Sequence, residues 1–168
     1  RAVNDVTLSK SFDNGMICAS EQAIIVDEPI LAAALDEFRA LHAHVATPEQ
    51  KTALEKLMFG VAADGTDCAG AKLNASVVGK SPAWIAEQAG FTVPADTSII
   101  IVPVDTVGPA EPLTREKLCP VLALLTAGST EEGIRLAERM VEFHGLGHSA
   151  VIHTASEELA AAYGRRVK

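Results

Sequence analysis

Val121-Leu122-Ala123-Leu124-Leu125 is an unbroken apolar run, and Ser129 with Glu132 follows it ahead of Ile134, Ala137, Met140 and Val141 at helical spacing. Apolar residues without polar alternation suit a strand buried on both faces. Ser129-x-x-Glu132 is the pattern of a helix capping box. A buried strand leading straight into a capped helix is the repeating unit of a parallel α/β sheet. The same reading extends in both directions. Ile99-Ile100-Ile101-Val102, ended by Pro103, reads as a second buried strand, and Ala23-Ile24-Ile25-Val26 and Ala150-Val151-Ile152 as two more. Thr47-Pro48-Glu49-Gln50 supplies an N-cap, a first-turn proline and a glutamine at the third helical position, ahead of Leu54, Leu57 and Met58. Ser81-Pro82 starts another helix that Gly90 can close, and Thr154 with Glu157 predicts the cap of the last one. The expected architecture is an α/β domain with a mainly parallel sheet flanked by helices. Asp64-Gly65-Thr66-Asp67 lacks the acidic spacing of a calcium loop and reads as a surface turn.

The composition fits one domain. Of 168 residues, 48% are hydrophobic and 21% charged, which excludes a disordered or low-complexity chain. No apolar run approaches the roughly 20 residues of a membrane helix. The net charge is −8, and the only small basic run is Arg165-Arg166, so neither nucleic acid nor an anionic membrane is an expected partner. Cys18, Cys68 and Cys119 include no CxxC pair, which gives no metal site and no disulfide framework. With no leader pattern visible, a cytoplasmic location is expected. The chain opens without methionine on a helix-like Arg1-Ala2-Val3-Asn4, as an excised piece of a longer protein would.

The stretch richest in chemistry is Ser11-Phe12-Asp13-Asn14-Gly15-Met16-Ile17-Cys18-Ala19-Ser20-Glu21-Gln22. A turn-forming Asn-Gly precedes a cysteine with small residues after it, so a substrate can approach the sulfur. At a helix N-terminus, free N–H groups would favour the Cys18 thiolate and stabilise an oxyanion beside it. The alternative is a buried structural cysteine.

This stretch, taken from Ser9-Lys10, resembles the nucleophile segment of CoA-acylating aldehyde dehydrogenases. It is most similar to the aldehyde dehydrogenase half of bifunctional aldehyde-alcohol dehydrogenases. Leu73-Asn74-Ala75-Ser76-Val77-Val78-Gly79-Lys80-Ser81-Pro82 and Ala89-Gly90-Phe91-Thr92-Val93-Pro94 resemble the family's middle segments. Glu116-Lys117-Leu118-Cys119-Pro120-Val121 resembles the superfamily's E-x-F-G-P-V element, with Cys119 in place of the usual glycine. Gly145-Leu146-Gly147-His148-Ser149-Ala150 resembles a glycine-and-histidine segment of acylating members. The resemblance implies that Cys18 is the nucleophile and that Glu116 holds the nicotinamide ribose hydroxyls, as a carboxylate accepting two hydrogen bonds can. It places Gly147 and His148 beside substrate or cofactor, with His148 as proton shuttle or contact. For Glu116 the alternative is an exposed carboxylate at a helix start, and for His148 a hydrogen-bonded structural histidine. Cys119, His144 and His153 read as structural, and His42 and His44 as solvent-facing.

What the resemblance implies is an NAD-dependent, CoA-acylating aldehyde dehydrogenase that interconverts a short aldehyde plus coenzyme A with acyl-CoA through a Cys18 thioester. Residues 1–168 are then the nucleophile-bearing catalytic domain. The family's NAD-binding domain would precede Arg1, and no G-x-G-x-x-G occurs in the chain. The chain alone is expected to be inactive, and in the parent a homo-oligomer and a fused iron-dependent alcohol dehydrogenase are expected. Three other readings stand beside this one: a non-acylating aldehyde dehydrogenase domain, an inactive assembly fragment, and a cysteine-dependent acyltransferase or hydrolase without NAD.

Overall fold

The computed structural model describes residues 1–60 and 72–167. The Asp64–Asp67 turn and Cys68 lie outside them. Four strands, β1 (Ala23–Asp27), β2 (His44–Val45), β3 (Ile100–Pro103) and β4 (Val121–Ala127), form one sheet in the order β1-β4-β3-β2. Every pairing is parallel. Among the described residues six helices surround it: α1 (Ala2–Ser11), α2 (Leu31–Ala40), α3 (Pro48–Phe59), α4 (Pro82–Ala89), α5 (Thr130–His144) and α6 (Glu157–Arg166).

The apolar runs work as buried parallel strands must. Alternate side chains of β3 and β4 enter opposite cores. Ile100, Val102, Val121, Ala123 and Leu125 pack with Leu54 and Met58 of α3 and Ile85 of α4. Ile101, Leu122 and Leu124 pack with Val6 of α1 and Phe38 of α2. The result is three layers, helix, sheet and helix. The edge strand β1 is only half-buried along Ala23–Ile25.

The caps follow the sequence with two adjustments. Thr47 and Gln50 close a complete capping box at α3, and Gly90 ends α4 in the left-handed region at φ 89°. Ser129 Oγ accepts from the Glu132 N–H, but the Glu132 carboxylate reaches back to the Gly128 N–H at 2.8 Å instead of to Ser129. The last helix is capped by Ser156, which accepts from the Leu159 N–H. Thr154 instead accepts from the Ser156 N–H at 3.1 Å, so the cap falls two residues later than its Thr154–Glu157 pattern predicts.

Ala150–Ile152 is not a strand. It forms no ladder with β1 or any other described strand, and Val151 is 64% exposed. Three apolar residues carry little β preference without a packed surface to receive them. His44 is also not solvent-facing: it opens β2, bonds Gln50 Oε1 at 2.8 Å and stacks on Phe91. His42 is exposed as expected and pairs with Asp96.

Candidate active site

The Cys18 loop connects α1 to β1. α1 gives way to a 3-10 turn over Phe12–Gly15 in which Asp13, Asn14 and Gly15 all have positive φ. Asn and Asp tolerate this region better than other side chains, and glycine tolerates it best. At Gly15 there is a second requirement. A Cβ there would lie 2.7 Å from the backbone C and O of Cys119. The loop therefore rests directly on the backbone of the Glu116–Val121 segment.

Cys18 then sits inside a tight turn closed by the Ser20 N–H donating to the Ile17 carbonyl at 2.9 Å. The buried Ser20 hydroxyl braces the turn on the Gly15 carbonyl. Cys18 is exposed, against the alternative of a buried structural thiol. No helix begins at Cys18, against the helix N-terminus considered for it; the loop ends in strand β1. Among the described residues the N–H groups of Cys18 and Ala19 form no backbone hydrogen bond, which leaves both donors open to a ligand.

A third motif segment joins the first two. Asn14 donates to the Gly79 carbonyl at 3.1 Å, and the Gly79 N–H donates to the Leu118 carbonyl at 3.0 Å. The stretches 9–22, 73–82 and 116–121, far apart in sequence, thus meet at one place.

Glu116 lies in an irregular stretch between the Pro112–Thr114 turn and β4, not at a helix start. It is half-buried and forms no hydrogen bond or ion pair among the described residues. Both carboxylate oxygens are thus open to a ligand's hydroxyls. Cys18, Glu116 and His148 line one cavity of about 450 Å³. Gly147 is not among its lining residues. It has φ 83° with open space where a Cβ would stand, so it is a turn former and no close approach requires it. His148 is exposed, and its ring has no hydrogen-bond partner among the described residues, against the reading of a hydrogen-bonded scaffold. Its backbone N–H closes a turn on the Gly145 carbonyl. His144 also lines the cavity, as does His153. Among the described residues no cluster of three or more His, Cys, Asp or Glu side chains could hold a metal. No described helix is long and apolar enough to cross a membrane.

Cys119 is fully buried, and burial pushes its thiol pKa up, which suits a packed and unreactive sulfur. Two buried lysines lie beneath the site, and the sequence reading missed both. Lys10 and Lys117 have no exposed surface. Burial lowers Lys10 to about 8 and Lys117 to about 7. The Glu116 carboxylate acts in the opposite sense on each. For Lys10 a signal existed: Val3, Val6, Thr7 and Lys10 fall on one helical face, and Val6, Thr7 and Lys10 are its buried residues.

This parallel sheet with its flanking helices and joined loops has the fold of a segment of the acylating aldehyde dehydrogenases. It superposes on the acetylating aldehyde dehydrogenase from Geobacillus thermoglucosidasius with a TM-score of 0.86 at 37% identity, covering 96% of this chain and 34% of that one. In sequence it is 55% identical to the aldehyde-alcohol dehydrogenase of Streptococcus pneumoniae serotype 4, across 100% of this chain and 19% of the relative. It is 52% identical to aldehyde-alcohol dehydrogenase 2 of Entamoeba histolytica, with the same coverage. No protein-family model matches. The chain is thus homologous over its whole length to a segment of the aldehyde-alcohol and acetylating aldehyde dehydrogenases. It spans about a fifth of the length of the curated relatives it matches.

Proposed function

We propose that the chain is the nucleophile-bearing catalytic part of an NAD-dependent, CoA-acylating aldehyde dehydrogenase acting on a short aldehyde. The observation that carries this reading is the exposed Cys18, presented by a braced turn into the cavity that Glu116 also lines. The Cys18 thiolate adds to the aldehyde carbonyl carbon, and the Cys18 and Ala19 N–H groups, which form no backbone hydrogen bond among the described residues, are the candidate donors to the oxygen that gains the negative charge. Loss of hydride from that carbon leaves an acyl thioester on Cys18. The thiol of coenzyme A then attacks the thioester, takes the acyl group and frees Cys18 as the leaving thiolate. NAD, when bound, accepts the hydride. The open carboxylate of Glu116 suits two vicinal ribose hydroxyls. His148, exposed on the same cavity, can carry a proton to or from the substrate oxygen or the CoA thiol.

The activity belongs to a longer enzyme, as in the relatives, in a reducing compartment such as the cytoplasm that keeps Cys18 a thiol, with self-association and fusion to an alcohol dehydrogenase as further parts of the proposal. The test uses a chimera of the Streptococcus pneumoniae relative in which this chain replaces the matching segment. Acetyl-CoA should leave an acetyl group on the Cys18 peptide, seen by mass spectrometry, and Cys18→Ala should abolish both adduct and NADH formation. An adduct elsewhere with turnover retained in Cys18→Ala would overturn the assignment. The 168-residue chain alone should form no NADH from acetaldehyde, CoA and NAD.

A further inference from the structure

We propose that Lys117 and Gln22 form a clamp that locks the Cys18 loop to the Glu116 loop, and that both are positioning residues for the reaction proposed above, on which this inference rests. Gln22 is the last residue of the Cys18 loop before β1. Its side-chain oxygen accepts from the Lys117 N–H at 3.0 Å, and its carbonyl accepts from Lys117 Nζ at 2.9 Å. Its amide group donates to the Ser20 carbonyl at 3.3 Å, at the C-terminal end of the turn that holds Cys18. The same Lys117 Nζ donates to the Leu113 carbonyl at 2.7 Å and the Arg115 carbonyl at 2.8 Å. One buried side chain thus holds the backbone on the N-terminal flank of Glu116 and also the end of the nucleophile loop. Lys10 Nζ adds a longer contact to the same Gln22 oxygen at 3.4 Å.

The chemistry of the lysine supports a linking role over simple filling. A methionine of similar length would occupy the space without the cost of burying an amine. What it lacks is the ability to bind three carbonyls from two loops. Protonated, the group has three donors for the three carbonyls it meets here, and as the neutral amine present above about pH 7 it keeps two. Misplacing a reacting group by about 1 Å costs roughly 100-fold in rate. The clamp joins the residue that attacks the aldehyde to the one that holds the hydride acceptor, so loosening it affects both.

The test is made in the chimera, with rates expressed per folded site as counted by iodoacetamide-reactive Cys18. Lys117→Met and Gln22→Met should each lower kcat for aldehyde oxidation by about 10- to 100-fold and raise KM for NAD severalfold. The double variant should lose more than either single one, because Lys117→Met removes the Nζ bond to the Gln22 carbonyl, Gln22→Met removes the bond from the Lys117 N–H, and each single variant leaves the other in place. Gln22→Glu keeps the acceptor oxygens and should recover most of the kcat lost in Gln22→Met. Should Lys117→Met fail to fold, the two variants of the half-buried Gln22 decide alone. Unchanged kcat and KM for NAD, with only a lower melting temperature, would overturn the clamp while Cys18→Ala still abolished turnover. Turnover that survives Cys18→Ala would instead overturn the functional reading itself.

Discussion

The two sides of the candidate site are held in different ways. On one side, the loops carrying Cys18 and Glu116 are fixed by contacts between residues far apart in sequence. These are Asn14 with Gly79, Gly79 with Leu118, Gly15 against Cys119, and Gln22 with Lys117. Beneath them run β3 and β4, whose apolar side chains are almost wholly buried. On the other side, Gly145–Ser156 carries His148 on little more than local turns, such as His148 to Gly145 and Ser156 to Thr154. Leu146 there is 73% exposed. Nucleophile and carboxylate are therefore placed by the fold, whereas the histidine is placed by its neighbours in sequence. Segments held only locally open at low free-energy cost.

Gly15 and Gly147 offer the sharpest way to break this contrast, because both have positive φ, 68° and 83°. Gly15→Ala brings a Cβ within 2.7 Å of the Cys119 backbone, which cannot swing aside as a flexible side chain can. Strain and overpacking together should cost about 3 kcal/mol or more. Urea unfolding of the chain at neutral pH measures it. A loss below about 1 kcal/mol would mean that the two loops are not in fixed contact.

The buried lysine gives the next effect through pH. Lys117 titrates near 7 when folded and near its ordinary 10.5 when unfolded. Between those values the unfolded chain holds a proton that the folded one has released, so stability rises with pH. Below about 7 both states are protonated and this contribution is flat. Lys10, lowered to about 8, acts in the same direction over a narrower window. From pH 7 to 9 the unfolding free energy should rise by roughly 2 kcal/mol from Lys117 alone, at about 1.4 kcal/mol per pH unit for one proton. Lys117→Met should remove that part of the slope. An unchanged slope in denaturation curves would show that Lys117 is not buried beneath the loops.

What the sequence could show follows from the same contrast. β3 and β4 were legible because strands buried on both faces need unbroken apolar runs. β2 was not, because His44–Val45 is too short to carry a pattern. Ala150–Ile152 carries a strand-like pattern, but no neighbouring strand receives it in the described structure. The Asn-Gly turn and the small residues beside Cys18 marked it as approachable but left a buried structural thiol open, and the family resemblance singled it out together with Glu116 and His148. Lys117 was not, since a lysine beside a glutamate reads as surface. Its burial depends on carbonyls of Leu113, Arg115 and Gln22, the last of them 95 residues away. No local pattern encodes such a meeting.

The smallest effects belong on the loosely held side. Gly147→Ala meets open space, so only its left-handed backbone resists, at about 1 kcal/mol. His148→Ala should change stability by less than about 0.5 kcal/mol, because the exposed ring makes no hydrogen bond among the described residues. That small cost makes the variant informative about function. In the chimera, a proton shuttle at His148 would show as a lower kcat and a flattened pH profile in His148→Ala. If kcat and its pH profile stay as they are while stability is also unchanged, His148 neither carries protons nor holds the fold, and the catalytic burden rests on the side that Gly15 and Lys117 hold in place.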